Sequence, residues 1–159
     1  MNSPSLPVVF LHANGYPAGV YRTFLDELQL HHPVRVIDVI GVDPAHRPGP
    51  GWQRMLTQVV AHVESLPDRR MALVGHSMGG YLAAMAAVRL PERVAQAVLI
   101  DAPVVLGWRG ALVSAARVTG MSRRIGPAPI AARRRQHWPS RDEARRHLGA
   151  KAFVQRWAP

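Results

Sequence analysis

Arg70-Met71-Ala72-Leu73-Val74-Gly75-His76-Ser77-Met78-Gly79-Gly80 decides the fold, because it joins two regular elements through a turn that only small residues allow. Residues 70–75 form a short apolar run of strand length and predict a strand buried on both faces of a parallel sheet. Residues 78–90 are apolar almost all round and end at Pro91, which predicts a centrally buried helix. Between them the chain must reverse direction within a few residues. Glycines two before and two after Ser77 make that turn sterically possible.

Outward from this stretch the same alternation repeats. Residues 7–11 (Pro-Val-Val-Phe-Leu) read as a strand, and Val20, Tyr21, Phe24, Leu25 and Leu28 mark one face of a helix over 19–30. Residues 34–40 predict a second buried strand. Pro44, Pro48 and Pro50 make 41–51 a loop, since proline lacks the ladder donor. Trp52, Met55, Leu56, Val59, Val60, Val63 and Leu66 keep helical spacing until Pro67, and 94–100 supplies a fourth strand. The order β-α-β-α-β-α-β predicts an α/β fold with a doubly wound, mostly parallel sheet. Function in such sheets gathers at the carboxyl ends of the strands, here His12 to Gly15, Gly41 to Asp43, Gly75 to Gly80 and Asp101 to Pro103.

After Pro103 the pattern gives way to short Arg- and Ala-rich stretches interrupted by glycine and proline. The 159 residues therefore divide into a core over 1–103 and a helical segment over 104–159. Charge follows the same division. The core holds eight Lys or Arg against eight Asp or Glu, whereas residues 104–159 hold twelve against two, which accounts for the whole net charge of +10. The bland account of that excess is a solvated basic surface; an anion-attracting segment or a nucleic-acid contact competes with it. No aromatic platform interleaves the arginines, so no nucleic-acid partner is expected. Cysteine is absent, which excludes disulfides, thiolate metal sites and cysteine catalysis. No apolar window reaches membrane-span length and no signal-peptide pattern opens the chain, so a soluble, cytoplasmic protein is the expectation.

Gly75-His76-Ser77-Met78-Gly79 matches G-x-S-x-G between a strand and a helix, where that motif places a nucleophilic serine at a sharp turn. A Gly-rich turn with an incidental serine is the competing account, and the strand-turn-helix context favours the nucleophile. His76, one residue earlier, is expected to point away from the serine and to pack with a satisfied hydrogen bond. An acyl-transfer site also needs two backbone donors for the developing oxyanion. Met78 supplies one, and the loop His12-Ala13-Asn14-Gly15 the other, through Asn14 or, one residue away, Ala13. His12, Ala13 and Gly15 would then lie against the substrate.

Phe10-Leu11-His12-Ala13-Asn14-Gly15, the elbow itself, and Pro91-Glu92-Arg93-Val94 followed by Leu99-Ile100-Asp101 together resemble the α/β-hydrolase superfamily over residues 6–103. Ala13 stands where that superfamily usually has glycine. The resemblance implies a serine hydrolase acting on a small-molecule acyl substrate without metal or organic cofactor; serine rather than aspartate at the elbow argues against its dehalogenase and epoxide-hydrolase branches. It also implies the order serine, acid, histidine, with a cap inserted after the fourth strand. Residues 104–159 then look like the start of a cap. Two later strands bearing the usual acid and histidine are not visible, so the chain resembles an N-terminal fragment. Asp101 is the acid candidate within it, set against a plain strand-ending turn. His137 and His147 are the histidines that follow Asp101, and no motif surrounds either. A non-catalytic binding protein on the same fold is the alternative reading.

Overall fold

The computed structural model describes residues 5–102, 137–151 and 155. Two compact units divide the chain, Met1–Val104 and Val105–Pro159. The first holds a four-stranded sheet of β1 (Val8–Leu11), β2 (Val34–Val36), β3 (Met71–His76) and β4 (Val94–Ile100), all parallel, in the order β2-β1-β3-β4. Helices α1 (Arg22–Gln29), α2 (Gln53–Ser65) and α3 (Met78–Arg89) connect consecutive strands. In the second unit the described helix is α4 (Arg141–Gly149), with the Ser140 hydroxyl accepting from the Glu143 N–H as its N-cap.

The two central strands, β1 and β3, are covered on both faces, which explains why they read as unbroken apolar runs. Val9, Leu11, Met71 and Leu73 pack on one face with Met55, Val59 and Val63 of α2 and Leu82, Ala83 and Ala86 of α3. Val8, Phe10, Ala72 and Val74 face the other way, against Tyr21, Leu25 and Leu28. Alternation along each strand thus feeds two cores. Because β1 connects outward to β2 on one side while β3 lies on its other side, the strand order reverses between β1 and β3. Leu11 pairs with Gly75 at that junction, so the open crevice of the sheet lies where the two strands end.

The strand expected over 34–40 is shorter, spanning Val34–Val36, and its residues are only half-buried. The cause is competition for the backbone groups beyond Val36. The Asp38 carbonyl accepts from the Ala18 N–H at 3.0 Å, the Val39 carbonyl from Gln58 at 3.1 Å, and the Ile40 N–H donates to His12 at 2.8 Å. None of these groups remains for a strand ladder. The helix over 19–30 begins as a 3-10 turn, Ala18–Tyr21, before α1. The central burial expected of α3 holds on one face only: Leu82, Ala83 and Ala86 are buried, whereas Val88 is 84% exposed. β4 likewise carries exposed apolar residues, Val98 and Ile100, on the edge strand of the sheet.

Arg93 locks the end of α2 to the start of β4. Its Nη2 donates to the carbonyls of Val63, Leu66 and Asp68, each at 2.9 Å. Val63 and the C-cap Leu66 belong to the helix end, where carbonyls lack their regular intrahelical donors, and Asp68 follows in the loop. Arg93→Met keeps the aliphatic stem and takes the side-chain donor from all three acceptors, of which Val63 keeps the Leu66 N–H, so it is expected to cost about 2–4 kcal/mol. A urea titration checks this as a lower midpoint at unchanged slope.

Candidate active site

Ser77 sits between β3 and α3 with φ 50° and ψ −114°, a backbone conformation that non-glycine residues rarely adopt. The surroundings hold it there. Its N–H donates to the Ile100 carbonyl of β4 at 2.8 Å, and its carbonyl accepts from Gly80 at 3.0 Å and Tyr81 at 3.3 Å. The glycines are obligatory for steric reasons. A Cβ on Gly75 would overlap the Gly79 backbone, one on Gly79 would overlap the Leu11 carbonyl of β1, and one on Gly80 would lie 2.5 Å from the Ala102 Cβ. The serine side chain makes no cap bond to its own helix, and the residue stays partly open to solvent.

Met78 is the first residue of α3, where the N–H has no partner within the helix and the helix dipole adds partial positive charge. Beside it runs the loop after β1. His12 is 2% exposed, and both ring nitrogens are engaged: Nε2 accepts from the Ile40 N–H at 2.8 Å, which assigns the proton to Nδ1, and Nδ1 donates to the Ala13 carbonyl at 2.8 Å. Both ring nitrogens are therefore taken up within the protein, in the geometry of a brace for the loop. Ala13 is buried, and its N–H donates to the Tyr21 hydroxyl at 3.2 Å. Asn14 and Gly15 are exposed, Gly15 at φ 78°, and the Asn14 N–H has no partner among the described residues.

His76 and Asp101 complete the rim. His76 Nδ1 lies 2.8 Å from the Tyr21 hydroxyl, with the two rings edge to face, and Nε2 lies 4.0 Å from the Asp101 carboxylate. Asp101 follows β4 at φ 47°, with its side chain 84% exposed. Within the first unit, the imidazole that faces this carboxylate is thus His76. His137 and His147 belong to the second unit, where the His147 ring packs on Trp138 at 4.7 Å.

Tyr21 is the site residue that sequence reading missed. Its place on the apolar face of 19–30 marks it as core, and its ring does pack on Phe10 at 4.8 Å. The hydroxyl, however, reaches Ala13 and His76 on two other elements, and no local pattern announces that. Burial, together with nearby Tyr16, raises the phenol above its ordinary value against the opposing bond from Ala13, so Tyr21 keeps its proton at neutral pH.

Among the described residues no cluster of three metal-ligating side chains occurs, and no helix is long and apolar enough to cross a membrane.

This strand-turn-helix serine on a doubly wound sheet defines a hydrolase-type architecture. The family model for the alpha/beta hydrolase fold matches residues 7–123, and the chain belongs to that family. It is 30% identical over 105 residues to a 1-acylglycerol-3-phosphate O-acyltransferase of Rattus norvegicus, covering 62% of this chain and 30% of that protein. It is 30% identical over 108 residues to a pimeloyl-[acyl-carrier protein] methyl ester esterase of Aliivibrio fischeri, covering 65% of this chain and 40% of that protein. A solved extracellular alpha/beta-hydrolase from a Paenibacillus species superposes with a TM-score of 0.55 at 25% identity, covering 64% of this chain and 42% of that one. The chain thus spans less than half the length of these relatives.

Proposed function

We propose that this chain carries the nucleophile and oxyanion site of a serine hydrolase that cleaves ester-like bonds in small acyl substrates. The strained backbone of Ser77 at the β3–α3 junction carries the reading, since such strain persists where a site uses it. Ser77 Oγ attacks the acyl carbon, its proton passes to a base, and the N–H groups of Met78 and Asn14 hold the oxyanion. The proton then leaves with the alcohol as the ester C–O bond breaks. Water adds to the acyl-serine and releases the acid. Asn14 is preferred to Ala13 because the Ala13 N–H already serves Tyr21.

The base is read as a histidine that follows the acid in the family's chain order of serine, acid, histidine, and His12 and His76, the histidines beside the elbow, turn ring nitrogens to other partners. Asp101 is the acid candidate within the core. Residues 104–159 are read as the start of a cap, and the protein as soluble and cytoplasmic. Two relatives named for ester or acyl transfer support an acyl substrate class.

Fluorophosphonate labelling tests the reading on protein expressed from the complete native gene. Ser77 Oγ displaces fluoride to form an O–P bond, so the parent is expected to label and Ser77→Ala to fall to background. Equal labelling of both, or none of a folded parent, favours the non-catalytic binding alternative.

A further inference from the structure

The geometry points to Tyr21 as the residue that positions the oxyanion loop over the nucleophile, acting through His76; this deepens the hydrolase reading above and rests on it. Three elements meet at one hydroxyl. Oη accepts the Ala13 N–H at 3.2 Å, so its own proton is free to go to His76 Nδ1 at 2.8 Å. That leaves the His76 proton on Nε2, which faces the Asp101 carboxylate at 4.0 Å. The two hydrogen bonds point the same way, from the loop through tyrosine to histidine, an arrangement in which neighbouring hydrogen bonds polarise one another, while the Asp101 carboxylate lies beyond hydrogen-bond reach of Nε2.

Two consequences follow for the site. First, occupying the Ala13 N–H removes one of the two loop donors and leaves the Asn14 N–H, which has no partner among the described residues. Second, the loop after β1 is tied to the residue directly before Ser77, so oxyanion donor and nucleophile are held by one linkage rather than by the separate rigidity of β1 and β3. Tyr21 touches neither Ser77 nor an acyl group in this scheme. It is a positioning residue, and its ring contacts with Phe10 are independent of the hydroxyl.

Tyr21→Phe removes only the oxygen. The expected result is a fall of about 10- to 100-fold in the second-order rate of fluorophosphonate labelling, with the thermal midpoint nearly unchanged, since a loosened donor costs rate more than stability. His76→Leu should match it, the double variant Tyr21→Phe/His76→Leu should lose no more than either single change, and His76→Asn, which keeps an acceptor near Nδ1, should recover much of the rate. Imidazole nitrogen NMR gives a second readout: His76 should hold its proton on Nε2 in the parent and exchange between tautomers in Tyr21→Phe. Parent-like labelling of Tyr21→Phe, fully additive losses, or an Nδ1–H tautomer for His76 overturns the inference while leaving the hydrolase reading intact. A folded parent that never labels at Ser77 sinks both.

Discussion

Gly75→Ala is expected to yield protein that fails to fold, whereas Gly19→Ala should leave it folded. At Gly75 the added carbon would occupy the space of the Gly79 carbonyl and stand 2.5 Å from the Gly80 nitrogen, all of it backbone. A side chain could swing aside, but a helix start cannot move without carrying α3 off the sheet. Moving α3 would also drag Gly79, whose own close neighbour is the Leu11 carbonyl of β1. The strain has no soft outlet, so a cost above about 3–5 kcal/mol is expected, comparable with the whole stability of many domains. Gly19 meets nothing within 4 Å and does not sit at positive φ, so alanine there should be neutral or slightly stabilising by restricting the unfolded chain. Soluble yield and far-ultraviolet circular dichroism of the two variants check the contrast; a folded, parent-like Gly75→Ala would remove the steric account of the elbow.

That contrast also shows which parts of the fold were legible in sequence. The four strands, their parallel class and the elbow follow from local information: apolar runs of strand length, 3.6-residue periodicity, and glycines at fixed offsets from Ser77. Misreadings arose where long-range hydrogen bonds decided the outcome. Residues 37–40 look like strand because Ile37 and Ile40 are apolar, and both are indeed buried. Their neighbouring backbone groups are nevertheless spent on Ala18, Gln58 and His12, which no window of sequence contains. The exposed Val88 has a related origin. Composition says that α3 is apolar all round, but how many of its faces are covered depends on other segments of chain.

The candidate site divides along the same line. Ser77, Met78 and the loop 12–15 were visible because backbone geometry near them is written in glycine positions and strand ends. The roles of His12 and Tyr21 were not visible, because each is set by a side-chain atom meeting backbone from a distant element. A histidine in the loop after β1 invites a substrate role by proximity alone; its two hydrogen-bond partners, one of them 28 residues away, show what its ring nitrogens hold.

His12→Leu is accordingly expected to be among the most damaging single changes at the loop, though it preserves bulk and apolar character. Leucine fills the same buried space and so creates little cavity. It leaves the Ile40 N–H and the Ala13 carbonyl without their ring partners, both in surroundings that water reaches poorly. The Ile40 N–H is then orphaned at about 1–3 kcal/mol, whereas the Ala13 carbonyl loses one of two donors and keeps the Tyr16 N–H at 3.1 Å. The first loss frees the segment after β2, and the second loosens the Ala13–Asn14 peptide, which the Tyr16 N–H still holds. Stability and labelling should therefore fall together, unlike the expected behaviour of Tyr21→Phe, where rate falls at nearly constant stability. His12→Gln, whose amide can accept from Ile40 while donating elsewhere, should restore part of the stability but less of the labelling rate, because its longer, flexible chain does not fix the direction of the Ala13 carbonyl. Urea midpoints and labelling rates measured on His12→Leu, His12→Gln and Tyr21→Phe together separate bracing from positioning. A His12→Leu protein as stable and as quickly labelled as the parent would show that neither ring nitrogen matters to the loop.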